Sequence, residues 1–456
     1  MYDGHRPTPQ ETLVSRRALF IPLIPVLSLS LAACADRSVP SAPMVSPSAN
    51  FAKEPGEPEA KKLFKEYVAM GSSIAAGFMS GGINDSTQRL AYPVILAERG
   101  DAKKFDIPLL AKPGCPPPWI APITPSAPSC AGRANDVLPP DANNVAVPGL
   151  RVAEALAAPT NAADIYSLLL GGSSEVAAML AAKPTFATVE LGDNDVFEAA
   201  LAGTVGPIGP GDSVLTRLAS FQNSYGQIVT ALASVNQLRG AALLGVVDPL
   251  FGSPILQPGA YFFLARDPAT GRFLGKLVNA NCSPVTALGA PNPLAANVIS
   301  FQVLLDANIP EINCDPAAFP VGDPRRGAYL LDPAEQGLIH TRVLQYNATI
   351  AQLAAANGWV YVDPNVIVAA ALASRTNGRA DQLRKCQDLA TATTAAQFQA
   401  AVLNTCPVTG PTAAPNFFGA LSSFDGVHPS ALGQRAIANL IAAAVNTKYG
   451  TSLATF

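Results

Sequence analysis

The sequence predicts an α/β fold: a mainly parallel five-stranded sheet with helices on both faces and long loop insertions. Two observations carry this. Short apolar or β-branched runs recur at "EYVAM" (66–70), "FDIPLLA" (105–111), "FATVEL" (186–191), "ALLGVVD" (242–248) and "WVYVD" (359–363). Between them lie segments with a helical apolar period, such as "TQRLAYPVILAERG", "VLTRLASFQNSYGQIVTALASV" and "PAEQGLIHTRVLQYNATIAQLAAANG". Buried strands alternating with helices build a parallel sheet covered on both faces. In such sheets ligands sit outside the carboxyl ends of the strands, which gives a positional test for candidate residues.

The chain has 456 residues, 49% of them hydrophobic and 14% charged, with a net charge of −3. That excludes a highly charged disordered chain and gives no electrostatic reason to expect a nucleic acid partner. With 42 Pro and 35 Gly, much of the chain should be loop around a single domain. Low-regularity insertions are expected near 112–143, 251–325 and 375–420.

The N-terminal stretch reads as a processing segment. Arg16 and Arg17 precede an apolar run from Ala18 to Ala33, too short and too proline-interrupted for a membrane span. It ends in "LAAC", Leu31 to Cys34, which resembles the bacterial lipoprotein cleavage box, with Cys34 as the lipidated residue. An ordinary signal peptide with a chance cysteine is the alternative, and "SRR" at 15–17 leaves both general and twin-arginine export open. Residues 1–34 are therefore expected to be a signal peptide with a lipobox, 35–60 a Ser/Pro/Ala/Glu-rich disordered tether, and 61–456 the folded domain. This organisation implies a cell-envelope lipoprotein held at the membrane by its N-terminal lipid.

Six cysteines remain besides Cys34, an even set that suggests disulfides in an exported chain. Six residues allow 15 connectivities. Sequence neighbours give the simplest one: Cys115 with Cys130, Cys282 with Cys314, and Cys386 with Cys406. Each would restrain a loop that buries little, by about 2 to 4 kcal/mol. A zinc site is disfavoured because no Cys-x-x-Cys or clustered Cys/His spacing occurs.

Two serine-bearing turns compete as nucleophile. Gly71-Ser72-Ser73 follows "EYVAM" directly, at a strand end and beside small residues, where a serine sits near free backbone N–H groups. "GDSV" at 211–214 follows a Gly-Pro loop and precedes a long helix, so Asp212 or Ser213 reads as a helix N-cap. A base is available at "FDGVHPS" (424–430), where Asp425 can reach His428 across a glycine turn and fix its tautomer. A surface histidine at a helix start is the alternative for His428. His340, inside a helical period, reads as packed or solvent-facing.

"VELGDNDVF" (189–197) places Asn194 at another strand end, where its amide can donate to an oxyanion; an Asx-turn or an acidic metal loop is the alternative. In "NNVAVPGLRV" (143–152), Gly149 permits close backbone approach before a helix. The apolar segments "PPPWIAPI" (116–123) and "YFFLA" (261–265) either line an acyl-binding cleft or pack small cores of their own.

Taken in order, "GSSIAAG", "NVAVPG", "GDND" and "DGVHP" resemble the four blocks of the SGNH (GDSL-type) hydrolase superfamily across about residues 66 to 447. The resemblance implies a three-layer α/β/α, flavodoxin-like fold and ester hydrolysis of the esterase or lipase type. Ser73 is then the nucleophile, Asp425 and His428 its acid and base, and Ser73, Gly149 and Asn194 the oxyanion donors. The substrate would be a small-molecule or lipid ester, with no metal or organic cofactor in the mechanism. The sequence departs from the pattern at Ser72, where the family carries Asp. That departure, together with long cross-linked insertions that could occlude or repurpose the cleft, motivates a second reading, a catalytically inactive surface-anchored ligand-binding protein on the same fold.

Overall fold

The computed structural model describes residues 59–79, 82–116, 119–120, 124–125, 130–158, 165–206, 214–376, 382–386, 392, 394–405 and 418–455. The chain divides into Met1–Glu54 and Pro55–Phe456, and every described residue belongs to the second unit. The expected signal peptide, Cys34 and almost all of the expected tether lie outside the described residues.

A four-stranded, all-parallel sheet forms the centre. Its strands are β1 (Tyr67–Gly71), β2 (Phe186–Glu190), β3 (Gly240–Leu244) and β4 (Val360–Val362), hydrogen-bonded in that order. The first three are buried at every position, as strands covered on both faces must be. Four of the five expected strands are thus present.

The fifth, 105–111, is not a strand. Pro108 interrupts it, and its backbone is satisfied by side-chain amides: Asn135 Oδ1 accepts from the Leu109 N–H at 3.0 Å and Gln88 Oε1 from the Leu110 N–H at 2.8 Å. The edge of the sheet beside β1 is instead taken by residues 143–147. There the Ala69 N–H donates to the Asn143 carbonyl, and the N–H groups of Val145 and Val147 donate to the carbonyls of Ala69 and Gly71.

The helices that position the site are α1 (Ser73–Ala76), α2 (Tyr92–Arg99), α3 (Glu175–Ala182), α4 (Asn194–Ala202), α5 (Leu218–Ala233), α6 (Pro333–Ala356), α7 (Asn365–Thr376) and α8 (Ala431–Tyr449). Helices α2 and α8 pack together on one side of the sheet, while α3, α5 and α6 cover the other. The start of α6 is written in its letters: Asp332 caps the N–H groups of Ala334 and Glu335, Glu335 reaches back to the Asp332 N–H, and Pro333 occupies the first turn.

Helix α5 corrects the N-cap expectation for Asp212 and Ser213, which themselves lie outside the described residues. It begins at Leu218, with Arg217 in the cap position. The preceding residues cannot join it. The Thr216 N–H donates to the Asp195 carbonyl, and the Thr216 carbonyl accepts from Arg342 and Tyr346.

The insertion near 251–325 carries more regular structure than expected. Its short strands Leu256–Pro258 and Val298–Ser300 pair antiparallel, and the helix Gly259–Ala265 packs beside them. Tyr261, Phe262, Phe273 and Phe301 stack on one another in a second hydrophobic core, which decides "YFFLA" in favour of packing. Cys282–Cys314 cross-links this insertion, and Cys115–Cys130 the earlier one, as expected. Cys386 is disulfide-bonded, while its expected partner Cys406 lies outside the described residues. Of "PPPWIAPI", no side chain beyond Pro116 is described.

Candidate functional site

The site is built on the carboxyl ends of β1, β2 and β3. Strand β1 ends at Gly71, where a Cβ would stand 2.7 Å from the Glu190 carbonyl oxygen and 2.8 Å from Ala75 Cβ, so only glycine lets the chain turn there. The next two residues part company. Ser72 is buried, and its hydroxyl donates to Glu190 Oε1 at 3.0 Å. The Ser72 and Ala75 N–H groups both donate to Glu190 Oε2 at 3.1 Å. Ser73, the first residue of α1, lines the cleft instead, and its hydroxyl has no hydrogen-bond partner among the described residues. Of the two serines, the geometry leaves only Ser73 available to a ligand.

Asp425 and His428 meet across a tight turn closed by the Ser423 N–H donating to the His428 carbonyl. Asp425 Oδ1 accepts from the Ser423 hydroxyl and from the N–H groups of Val427 and His428, each at 2.9 Å. Its Oδ2 lies 2.6 Å from His428 Nδ1. Burial pushes the Asp425 carboxyl up, but the His428 charge, its hydrogen bond and the two backbone N–H groups together hold it below the ordinary carboxylate value. A carboxylate so held fixes the Nδ1–H tautomer and leaves Nε2 as the acceptor. The Phe78 ring, its centroid 4.6 Å from that of His428, steadies the imidazole from one side.

Gly149, at φ +86°, has the left-handed backbone that favours glycine. Its N–H and that of Ser73 have no acceptor among the described residues. Asn194 Nδ2 donates one hydrogen to the Leu150 carbonyl at 2.9 Å, which orients the amide and leaves the second hydrogen unspent. Ser73, Gly149 and Asn194 line the same cleft as Asp425 and His428. The two aspartates flanking Asn194 are taken by backbone donors: Asp193 Oδ1 by the Val247 N–H at 2.7 Å, and Asp195 Oδ2 by the Val152 N–H at 2.9 Å. Burial raises the Asp195 carboxyl to about 6, against the pull of Val152, Thr216 and Arg151. No cluster of three metal-ligating side chains occurs among the described residues.

The cleft has a volume of about 390 Å³. Its walls beyond the polar end are mostly apolar, with Phe197 and Leu201 from α4, Ile367 and Val368 from α7, and Ile437 from α8, beside the polar Glu198, Ser253 and Gln302. Such a site can present a hydroxyl, a base with its orienting acid, and three unspent N–H donors to a substrate with an apolar arm.

His340 lies on α6 and is not part of the cleft. Its Nδ1 sits 2.6 Å from Asp248 Oδ2, and its ring packs edge-on to Phe251. It is partly solvent-facing, as expected, and also paired. The residue missed from the letters is Glu190. Its signal was present: a lone acid closing the otherwise uncharged strand "FATVE", with no basic residue close behind it.

No protein-family model matches the chain, and no curated protein matches it. Among solved structures, the chain is similar to the crystal structure of phospholipase A1 from Streptomyces albidoflavus NA297, with 14% identity, 84% of this chain and 98% of that chain covered, and a TM-score of 0.32. An overlap of that quality assigns neither a family nor an activity.

Proposed function

We propose that this chain is a serine-dependent carboxylic ester hydrolase of the SGNH type. The observation that carries the reading is the convergence on one cleft of a free serine hydroxyl, an oriented Asp425–His428 pair and three unspent N–H donors. In the proposed reaction, His428 Nε2 takes the Ser73 proton as Oγ attacks the ester carbonyl. The oxyanion is held by the N–H groups of Ser73 and Gly149 and by the Asn194 amide. The alcohol leaves with the proton from His428, and water releases the acyl group by the same base. Asp425 remains ionised throughout and supports the imidazolium.

The apolar walls favour an ester with a hydrocarbon acyl chain over a sugar acetate, since a polar sugar would leave hydroxyls facing Phe197, Leu201, Ile367 and Val368 without partners. The inactive-binder reading drew on Ser72 in place of an acid. Its other motive, the long cross-linked insertions, is untouched, but the first weakens because Glu190 supplies an acid beneath the same turn. Lipidation at Cys34, a tether to about residue 60 and an envelope location belong to the same proposal and draw on the sequence alone.

Purified protein treated with a fluorophosphonate tests the reading. Ser73 should carry the label, Ser73→Ala should abolish both labelling and hydrolysis of aryl esters, and Ser72→Ala should stay labelled. A wild type that hydrolyses esters while Ser73 stays unlabelled would refute the assignment.

A further inference from the structure

The Ser73 turn is gripped by Glu190, and the carboxyl that Glu190 touches, Asp193, directly precedes the Asn194 donor. Glu190 closes β2, and Asp193 comes three positions later, directly before Asn194. Glu190 grips the turn after β1 with both oxygens: Oε2 takes the N–H groups of Ser72 and Ala75, and Oε1 takes the Ser72 hydroxyl. Its carboxyl is also in hydrogen-bond contact with that of Asp193, whose Oδ1 is anchored by the Val247 N–H beyond the end of β3. Two carboxyl groups in hydrogen-bond contact need one proton between them. Glu190 is buried and Asp193 half-buried where it lines the cleft, and among the described residues no Lys or Arg side chain is bonded to either. The other titratable groups around them are Tyr92 from α2, Tyr225 from α5, and Glu175 from α3, which accepts from the Gly71 N–H.

We propose, resting on the ester-hydrolase reading, that Glu190 is a positioning residue for Ser73. Its carboxyl braces the Ser72–Ala75 turn on one side and shares a proton with Asp193 on the other, so that nucleophile and oxyanion donor are carried by one hydrogen-bonded unit. Burial pushes both carboxyls up, with Asp193 adding to the shift at Glu190, so the pair keeps one proton between them, and Glu190 is neutral whenever it carries it. A neutral Glu190 needs only to accept two backbone N–H bonds and donate toward Asp193. A glutamine amide does the same, with the Ser72 hydroxyl turned to accept from it. The arrangement therefore distinguishes a hydrogen-bonding brace from a charge requirement.

The test compares Glu190→Ala and Glu190→Gln with the wild type in fluorophosphonate labelling rate, KM for an aryl ester, and thermal unfolding. Folded Glu190→Ala should label about 100-fold more slowly with little change in KM, the scale of a misplaced reacting group. Glu190→Gln should recover the rate to within about fivefold of wild type, one hydrogen bond's worth. Labelling of Glu190→Ala at the wild-type rate overturns the proposal, and so does a Glu190→Gln as slow as Glu190→Ala. If Glu190→Ala does not fold, Glu190→Asp decides, since a carboxyl one methylene shorter draws back from the Ser72 and Ala75 N–H groups. Slower labelling at unchanged KM supports the brace, and a wild-type rate overturns it. A wild type unlabelled at Ser73 counts instead against the hydrolase reading itself.

Discussion

Asp425 Oδ2 stands 2.6 Å from His428 Nδ1, while the other oxygen of the same carboxylate gathers three donors from its own turn. One side chain thus orients the imidazole and closes the loop that carries it. Asp425→Asn keeps an acceptor for the loop but can present an N–H toward Nδ1, which favours the wrong tautomer. The expected result is a fall in kcat of about 10³- to 10⁴-fold with the fold intact, read by ester hydrolysis beside near-UV circular dichroism.

Asn194→Ala removes the one side-chain donor of the proposed oxyanion hole and frees the Leu150 carbonyl it had bonded. A loss of about 100- to 1000-fold in kcat, with KM nearly unchanged, is expected. A change confined to KM would place Asn194 in ground-state binding instead.

The apolar cleft predicts a chain-length dependence. Each methylene moved from water onto Phe197, Leu201, Ile367 or Val368 contributes about 0.8 kcal/mol, so kcat/KM for a series of straight-chain esters should rise about fourfold per carbon until the space is filled. Val368→Trp should end that rise at a shorter chain while sparing the acetate. A flat series would show that the acyl group lies elsewhere.

Asp195 supplies a pH dependence of stability. Burial lifts its folded-state value to about 6, whereas the unfolded chain ionises near 3.8. Its contribution is therefore complete below about pH 3.8 and is lost as pH rises through 6, by about 3 kcal/mol in total. Asp195→Asn should remove this slope: chemical denaturation at pH 4 and pH 7 should show wild type losing more stability over the interval than the variant.

Cys282–Cys314 closes 32 residues around the aromatic second core. Replacing both with Ser should cost about 3 to 4 kcal/mol in chemical denaturation, while Ser73 labelling persists below the transition, since neither cysteine lines the cleft.

Much of this was legible from residue letters for a physical reason. Strands such as Phe186–Glu190 are buried on both faces and announce themselves as apolar runs, and Ser73, Asn194, Asp425 and His428 follow strand ends or turns whose small residues are visible. Run 105–111 misled because apolarity reports burial, not pairing: Leu109 and Leu110 are buried, yet their N–H groups are met by Asn135 and Gln88 from elsewhere in the chain. Residues 143–147, which do flank β1, end at Pro148 and read as a loop. Glu190 is visible locally as a lone acid closing an apolar strand, but what it grips lies 115 and more positions away, and that pairing no local pattern encodes.

Gln434, on α8, donates to the Ile74 carbonyl and accepts from the Tyr92 N–H, joining parts of the chain 360 and 342 positions apart. A polypeptide emerging from the ribosome therefore exposes the Ser73 turn long before the residue that clamps it and the proposed base, His428. Until α8 has been made and docked, that turn lacks its clamp, and under the proposed hydrolase reading the centre would stay inert during synthesis.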